Sequence, residues 1–277
     1  MMKSGNDAEP EVHAPDSIIR PKRKLGQNFL KSPKIAEFEA GYADGKNALE
    51  LGAGLGVLTR KLCEVANSVV AVEKDKALFD RLKMNLAFHN LKLINADFFD
   101  LDPEVFKKCD IMVSNIPYNI SSKVLMWLSE HKMQAVLCLQ REFVDHIIAR
   151  PGSRKYSKLS VFSQLNFRIY PIKRVSRLSF YPAPKVDSSI ILLDPKDAKI
   201  DGQAMKVISL LMEHKKKRIG NALADSSGEL GISKALAKSL AEGRYEDMRP
   251  FQLAPEELAA LAEELAESIA ENGENSE

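Results

Sequence analysis

"LELGAGLGVLT", residues 49–59, decides how the chain is read. The apolar stretch "NALELG" (47–52) leads into it and reads as a buried strand. "LGVLTRKLCEVA" (55–66) leads out of it with helical spacing. Between them Gly52, Gly54 and Gly56 let the backbone turn sharply and let a ligand approach it closely. A dinucleotide fingerprint would read GxGxxG. Here Val57 takes the last position, so the spacing is GxGxG. Alone, such a turn is a weak signal. The next strand, "VVAVEKD" (69–75), supplies Glu73 about 20 residues on, where a carboxylate can accept both hydroxyls of a ribose. "LKLINAD" (91–97) ends in Asp97, placed to accept the exocyclic amine of an adenine. Either acid alone reads equally as a solvated strand end or a helix cap. Both in register with the glycines describe an adenosine without a pyrophosphate, and S-adenosylmethionine is the cofactor that fits.

Outward from this turn, strand and helix patterns alternate. "IMVSN" (111–115) and "AVLCLQ" (135–140) read as further strands, with helical stretches "KALFDRLKMNLAFH" and "SSKVLMWLSEH" among them. Alternation at this pitch predicts βαβ units and a parallel sheet, hence an α/β fold. "NFRIYPIKRVSRL" and "SSIILLDP" can add strands at its C-terminal edge. After "DPKDAKIDG" (194–202) no strand pattern appears, and three segments look helical. The last places Leu258, Leu261, Ala262, Leu265 and Ile269 on one face, with Pro255 near its start. The expected organisation is a polar tail over 1–19, a Rossmann-like domain over 20–195 and a small all-helical domain over 196–277.

The totals limit the alternatives. Hydrophobic residues make up 45% of 277, enough for a sizeable core. No apolar run approaches the ~20 residues of a membrane span, and the polar N-terminus has no signal-peptide character. A cytoplasmic protein is expected. Cys63, Cys109 and Cys138 lie far apart among apolar neighbours and read as free thiols. The five histidines form no metal-binding spacing, so no metal is expected. The net charge of +2 hides segregation. "RPKRK" (20–24, with Lys22 at its centre) and "KKKR" (215–218) are basic blocks. Residues 141–185 carry ten Lys/Arg against two acids, and eight glutamates follow Arg249 with no base. Each block alone is an ordinary solvated face. Together they favour a polyanionic partner such as nucleic acid.

"SNIPYNIS" (114–121) then gives the cofactor an acceptor. An aromatic exocyclic amine is a poor nucleophile because its lone pair is delocalised. The side-chain carbonyl of Asn115 and the backbone carbonyl of Ile116 can hold its N–H groups out of the ring plane. Pro117 fixes the turn, and Tyr118 offers a face for the base. No charged general base is needed, since a sulfonium donor drives the transfer.

Two further segments, "KLGQNFLKS" (24–32, too far upstream to belong to the sheet) and "SFYPAPKVDSS" (179–189), complete a pattern. "GQNFL", "ELGAGLGVLT", "NIPYNIS" and "FYPAPKVDS", in this order, resemble the small-subunit ribosomal RNA adenine N6,N6-dimethyltransferases, from about Lys22 to Arg249. The resemblance implies an S-adenosylmethionine-dependent methyltransferase with a helical C-terminal domain. Its substrate would be two adjacent adenosines near the 3′ end of that RNA, within a pre-ribosomal small subunit, and the protein would act as a monomer. It also implies that Asn28 and Leu30 close over the cofactor. Gly52, with Gly54 in the same turn, would face the cofactor's methionine end, Glu73 its ribose and Asp97 its adenine. Asn115, which would also border the cofactor, would address the target base with Ile116, Pro117 and Tyr118, and Phe180 would stack on its other side. Many relatives have "NLPY" where Ile116 stands; only its backbone is used. Rival readings are an N6-amine methyltransferase acting on DNA, a protein glutamine methyltransferase, and a non-catalytic assembly factor. The first two leave "GQNFL" and "FYPAPKVDS" unexplained.

Overall fold

A computed structural model describes residues 21–22, 26–197, 200–243 and 245–274. The expected tail, and Arg20, Arg23 and Lys24 of the first basic block, lie outside the described residues.

Among the described residues nine strands form in chain order: β1 (Phe29–Leu30), β2 (Asn47–Leu51), β3 (Ser68–Val72), β4 (Leu91–Ile94), β5 (Ile111–Ser114), β6 (Gln134–Gln140), β7 (Phe167–Val175), β8 (Phe180–Tyr181) and β9 (Ser188–Pro195). Seven make one sheet in the order β4-β3-β2-β5-β6-β9-β7. The strands from β4 through β6 pair in parallel, and β9 runs antiparallel to both its neighbours. The chain builds outward from β2 to β4 on one side, then returns to lay β5 and β6 on the other. That reversal opens a crevice at the carboxyl ends of β2 and β5, the place where open α/β sheets bind ligands.

Alternate residues of each strand serve opposite faces, as a period of two requires. Ala48, Val69, Ala71, Ile111, Val113, Val136 and Cys138 pack with α1 (Pro33–Ala40), α2 (Val57–Val65) and α3 (Lys76–Asn85). Leu49, Leu51, Val72, Met112, Leu137 and Leu139 pack with α4 (Ser121–Glu130), α5 (Arg141–Ile147) and part of α6 (Lys158–Asn166). Such two-sided burial is why these strands read as continuous apolar runs.

Beyond β9 the described elements are helical: α7 (Gly202–Glu213), α8 (Ile219–Asp225), α9 (Ser227–Leu230), α10 (Lys234–Ser239) and α11 (Pro255–Glu274). Their core takes in Tyr156, Val161 and Leu165 from the sheet side. On α11, Leu258, Leu261, Ala262 and Leu265 are buried and Ile269 packs partly against them. "QAMKVISLLMEHKKKRIGNALA" (203–224) spans two helices, α7 and α8. The break falls on the cationic run, where Lys215 turns inward to donate to the Tyr156 carbonyl and Arg218 becomes the extended cap of α8.

The two segments outside the main sheet find each other. β1 and β8 pair antiparallel, Phe29 opposite Tyr181 and Leu30 opposite Phe180. "GQNFL" and "FYPAPK" are thereby clamped together over the crevice.

Candidate active site

The glycine turn lies in the crevice with Gly52, Gly54 and Gly56 all in the left-handed region, at φ 79°, 57° and 79°. Two of them have different reasons. A Cβ on Gly54 would stand 3.1 Å from the Phe29 ring, so its absence lets "GQNFL" close down on the turn. A Cβ on Gly56 would stand 2.7 Å from Leu82, so this glycine serves the packing of α2 on α3.

The turn borders a cavity of about 350 Å³, within the usual range for small-ligand sites. Asn28, Gly52, Gly54, Glu73, Asp97, Asn115, Ile116, Pro117, Tyr118 and Phe180 all line it. Leu30 does not; it borders an adjoining recess together with Asn28, Gly52, Gly54 and Asn115.

At one end stand the acids. Glu73 follows β3 and is buried. Its Oε2 accepts from the Gly54 N–H at 2.9 Å and its Oε1 from the Asp75 N–H at 2.8 Å. Burial raises its pKa, and those backbone donors work against the rise. Asp97 stands beyond the end of β4 and caps a short 3-10 turn, accepting from the Phe99 N–H at 3.1 Å. Its Oδ2 meets Lys74 Nζ at 2.6 Å, and that hydrogen bond holds its carboxyl below the usual range. A carboxylate offers about four lone-pair sites, so both acids retain acceptor capacity. Lys22 Nζ lies 2.7 Å from Asp75, the cap of α3.

At the other end β2 and β5 diverge after Leu49–Met112. The Ser114 hydroxyl fills the gap: it accepts from the Leu51 N–H at 2.6 Å and donates to the Leu51 carbonyl at 3.0 Å. Asn115 follows directly. Its Nδ2 donates to Glu39 Oε2 at 2.9 Å, while its Oδ1 is buried with no partner. Ile116 is buried in the core, leaving its side chain no part in the cavity's chemistry beyond shape. The Tyr118 hydroxyl lies 2.8 Å from Ser188 Oγ, and burial pushes the phenol up to about 12. Phe180 is 4% exposed and packs in the core below β8. It borders the cavity from the short strand β8.

Sequence reasoning missed Glu39. It is fully buried on α1, and burial pushes its carboxyl up to about 8, with the Asn115 hydrogen bond opposing the rise. Glu50 is raised to about 8 as well, chiefly by burial. The signal was present: Ala36, Glu39 and Ala40 share the buried face of α1, so an acid stands among alanines. Gln27 and Lys74 were missed too, and both line the cavity.

The basic surface is less one-signed than its sequence count. Arg141, Lys155, Arg177 and Lys185 line a separate open groove together with Glu142, Asp145 and Asp187. Lys155 pairs with Asp145 at 2.7 Å, and Lys217 pairs with Asp225. Among the described residues no helix is long and apolar enough to cross a membrane.

Comparison with known proteins bears on this geometry. The structure superposes on a dimethyladenosine transferase from Plasmodium falciparum with a TM-score of 0.72 at 26% identity, covering 84% of this chain and 95% of that one. It superposes on the 23S rRNA methyltransferase ErmE with a TM-score of 0.58 at 25% identity, covering 85% and 100%. Fold and cavity thus define a Rossmann-like, S-adenosylmethionine-dependent methyltransferase. Residues 19–252 match the model of the family described as ribosomal RNA adenine dimethylase, and the chain belongs to that family. It is 38% identical over 246 residues to a Thermococcus gammatolerans protein named "Probable ribosomal RNA small subunit methyltransferase A", covering 87% of each. A Methanopyrus kandleri protein of the same name is 39% identical over 258 residues, covering 88% of this chain and 92% of that one.

Proposed function

We propose that the protein transfers methyl groups from S-adenosylmethionine to N6 of two adjacent adenosines near the 3′ end of small-subunit ribosomal RNA, giving N6,N6-dimethyladenosine. The observation that carries this reading is the buried, unpartnered Oδ1 of Asn115 at the cavity wall. A buried acceptor without a donor is costly, and the N–H of an adenine amine would supply the donor.

The bound cofactor supplies an electrophilic methyl group. The chain's residues do the rest. Glu73, already fixed by two backbone donors, accepts from the ribose hydroxyls, and Asp97 accepts from the cofactor's adenine amine. Gly52 and Gly54 allow close approach of the methionine end, and Asn28 and Leu30 close over it. Asn115 Oδ1 and the Ile116 carbonyl hold the target amine, with Pro117 setting the turn between them. Tyr118 and Phe180 flank the base, which must leave its stack at a cost of a few kcal/mol. Each transfer would replace one amine N–H by N–CH₃, with the proton leaving to water and the donor departing as its neutral thioether, so a monomethylated amine keeps one N–H for the second transfer.

We place the monomeric enzyme in the cytoplasm, acting on a pre-ribosomal small subunit. The helical segment after residue 195 and the bases near Lys22, Arg141–Lys185 and Lys216 would serve docking. Labelled methyl transfer to immature small subunits, naked RNA, DNA and protein tests the reading. Dimethyladenosine in the 3′ fragment of the subunit RNA is the expected product. Label in DNA or protein alone, or none in any substrate, contradicts it.

A further inference from the structure

We infer that Glu39 is a positioning residue for methyl transfer: its carboxylate fixes the Asn115 amide with nitrogen turned inward, so that Oδ1 is the atom presented to the acceptor amine. The inference rests on the function proposed above.

The contact joins two distant parts of the chain. Glu39 lies on the buried face of α1, and Asn115 is the first residue after β5. Glu39 Oε2 accepts from Asn115 Nδ2 at 2.9 Å, and both Glu39 Oε1 and Asn115 Oδ1 are buried without partners. A carboxyl in this position is expensive, and the rest of the buried face of α1 uses alanine. Packing alone therefore does not account for it.

Directionality does. The two ends of an amide are nearly equal in size, so shape alone leaves two orientations. An ionised carboxylate only accepts hydrogen bonds, and it selects the orientation that offers it the NH₂ group. The flipped amide would instead aim N–H groups at the N–H groups of the incoming amine. A protonated Glu39 can donate as well as accept, so it selects less strongly. Glu50 on β2 and Cys138 on β6 are the titratable groups coupled to Glu39, and both are raised chiefly by burial. Burial holds Glu39 itself near 8. A cationic donor in the adjoining cavity favours its charged form.

The test uses the full-length protein, wild type and Glu39→Gln, from about pH 6 to about pH 9. It measures single-turnover methyl transfer to small-subunit RNA and calorimetric affinity for S-adenosylmethionine. Glutamine keeps the volume but can both donate and accept. The expected result is a cofactor affinity within about tenfold of wild type, since the lost Glu39 charge also favoured the cationic donor, with a transfer rate lower by on the order of 10²-fold, the scale of misplacing a reacting group. The wild-type rate should rise with pH through a midpoint at or below about 8, and the variant should lose that limb. A variant that transfers at the wild-type rate with the wild-type profile overturns the inference. Wild-type protein that methylates no RNA would instead overturn the function on which it rests. If Glu39→Gln does not fold, the Asn115 side-chain amide resonance of the wild-type protein decides. It should show a coupling across the hydrogen bond from Asn115 Nδ2 to the Glu39 carboxyl carbon; an Asn115 amide without that coupling overturns the inference.

Discussion

The two ends of the cavity are built differently. At the acid end both oxygens of Glu73 and both of Asp97 already have partners. That end has its hydrogen bonds made before anything binds. At the asparagine end Glu39 Oε1 and Asn115 Oδ1 are buried and unpaired. The first end holds its carboxylates ready for a ligand that adds hydrogen bonds to a finished network. The second keeps an acceptor unsatisfied until a donor arrives. Cofactor affinity should therefore reside at one end and transfer rate at the other, because interactions completed only in the transition state act on rate.

The comparison can be broken at either end. The largest expected equilibrium effect comes from Glu73→Ala, which removes both ribose acceptors. S-adenosylmethionine binding should weaken by roughly 1.5–3 kcal/mol, the range for hydrogen bonds to a charged group. Calorimetry on the folded variant checks this, and undiminished affinity would remove Glu73 from the cofactor site.

Next is Ser114→Ala, between the two ends. It deletes both bonds to Leu51 where β2 and β5 separate. Unfolding in urea should show a loss of about 1–3 kcal/mol, since a buried N–H is left unpaired. Full stability in the variant would mean that the crevice does not depend on this bridge.

Tyr118→Phe should have the smallest effect. The ring face remains, and only the hydroxyl contact with Ser188 is lost. A stability change of about 0.5–1.5 kcal/mol is expected, with RNA methylation close to wild type. Tyr118→Ala removes the ring and should weaken productive RNA engagement. Equal activity in both variants would argue against stacking.

The acid end was legible in the sequence because its logic is local. Glycines, strand ends and the carboxylates after them recur at fixed spacing along successive βα units, and the sheet brings them into register. Most strands of the main sheet were legible for the same reason, as apolar runs of strand length, whereas the base-rich and largely exposed β7 read only as a possible edge strand. The asparagine end was half legible. "NIPY" announced an unusual turn, but the partner of Asn115 sits 76 residues upstream on a helix. Only its place among buried alanines marks it. The pairing of β1 with β8 was hidden because two-residue strands carry no periodicity. Charge counting overstated the basic surface, since Asp187 lies just past the counted window and Lys215 turns inward to a carbonyl. Lys216 is thus a cleaner target for charge reversal than Lys215.

The division between the two ends is tested most directly by Asn115→Ala, with cofactor affinity and single-turnover methyl transfer measured on one preparation. Affinity for S-adenosylmethionine should stay close to wild type and most methyl transfer should be lost, with N6-monomethyladenosine accumulating in whatever product remains. Dimethylation at the wild-type rate, read by mass spectrometry of the RNA fragment, would contradict it.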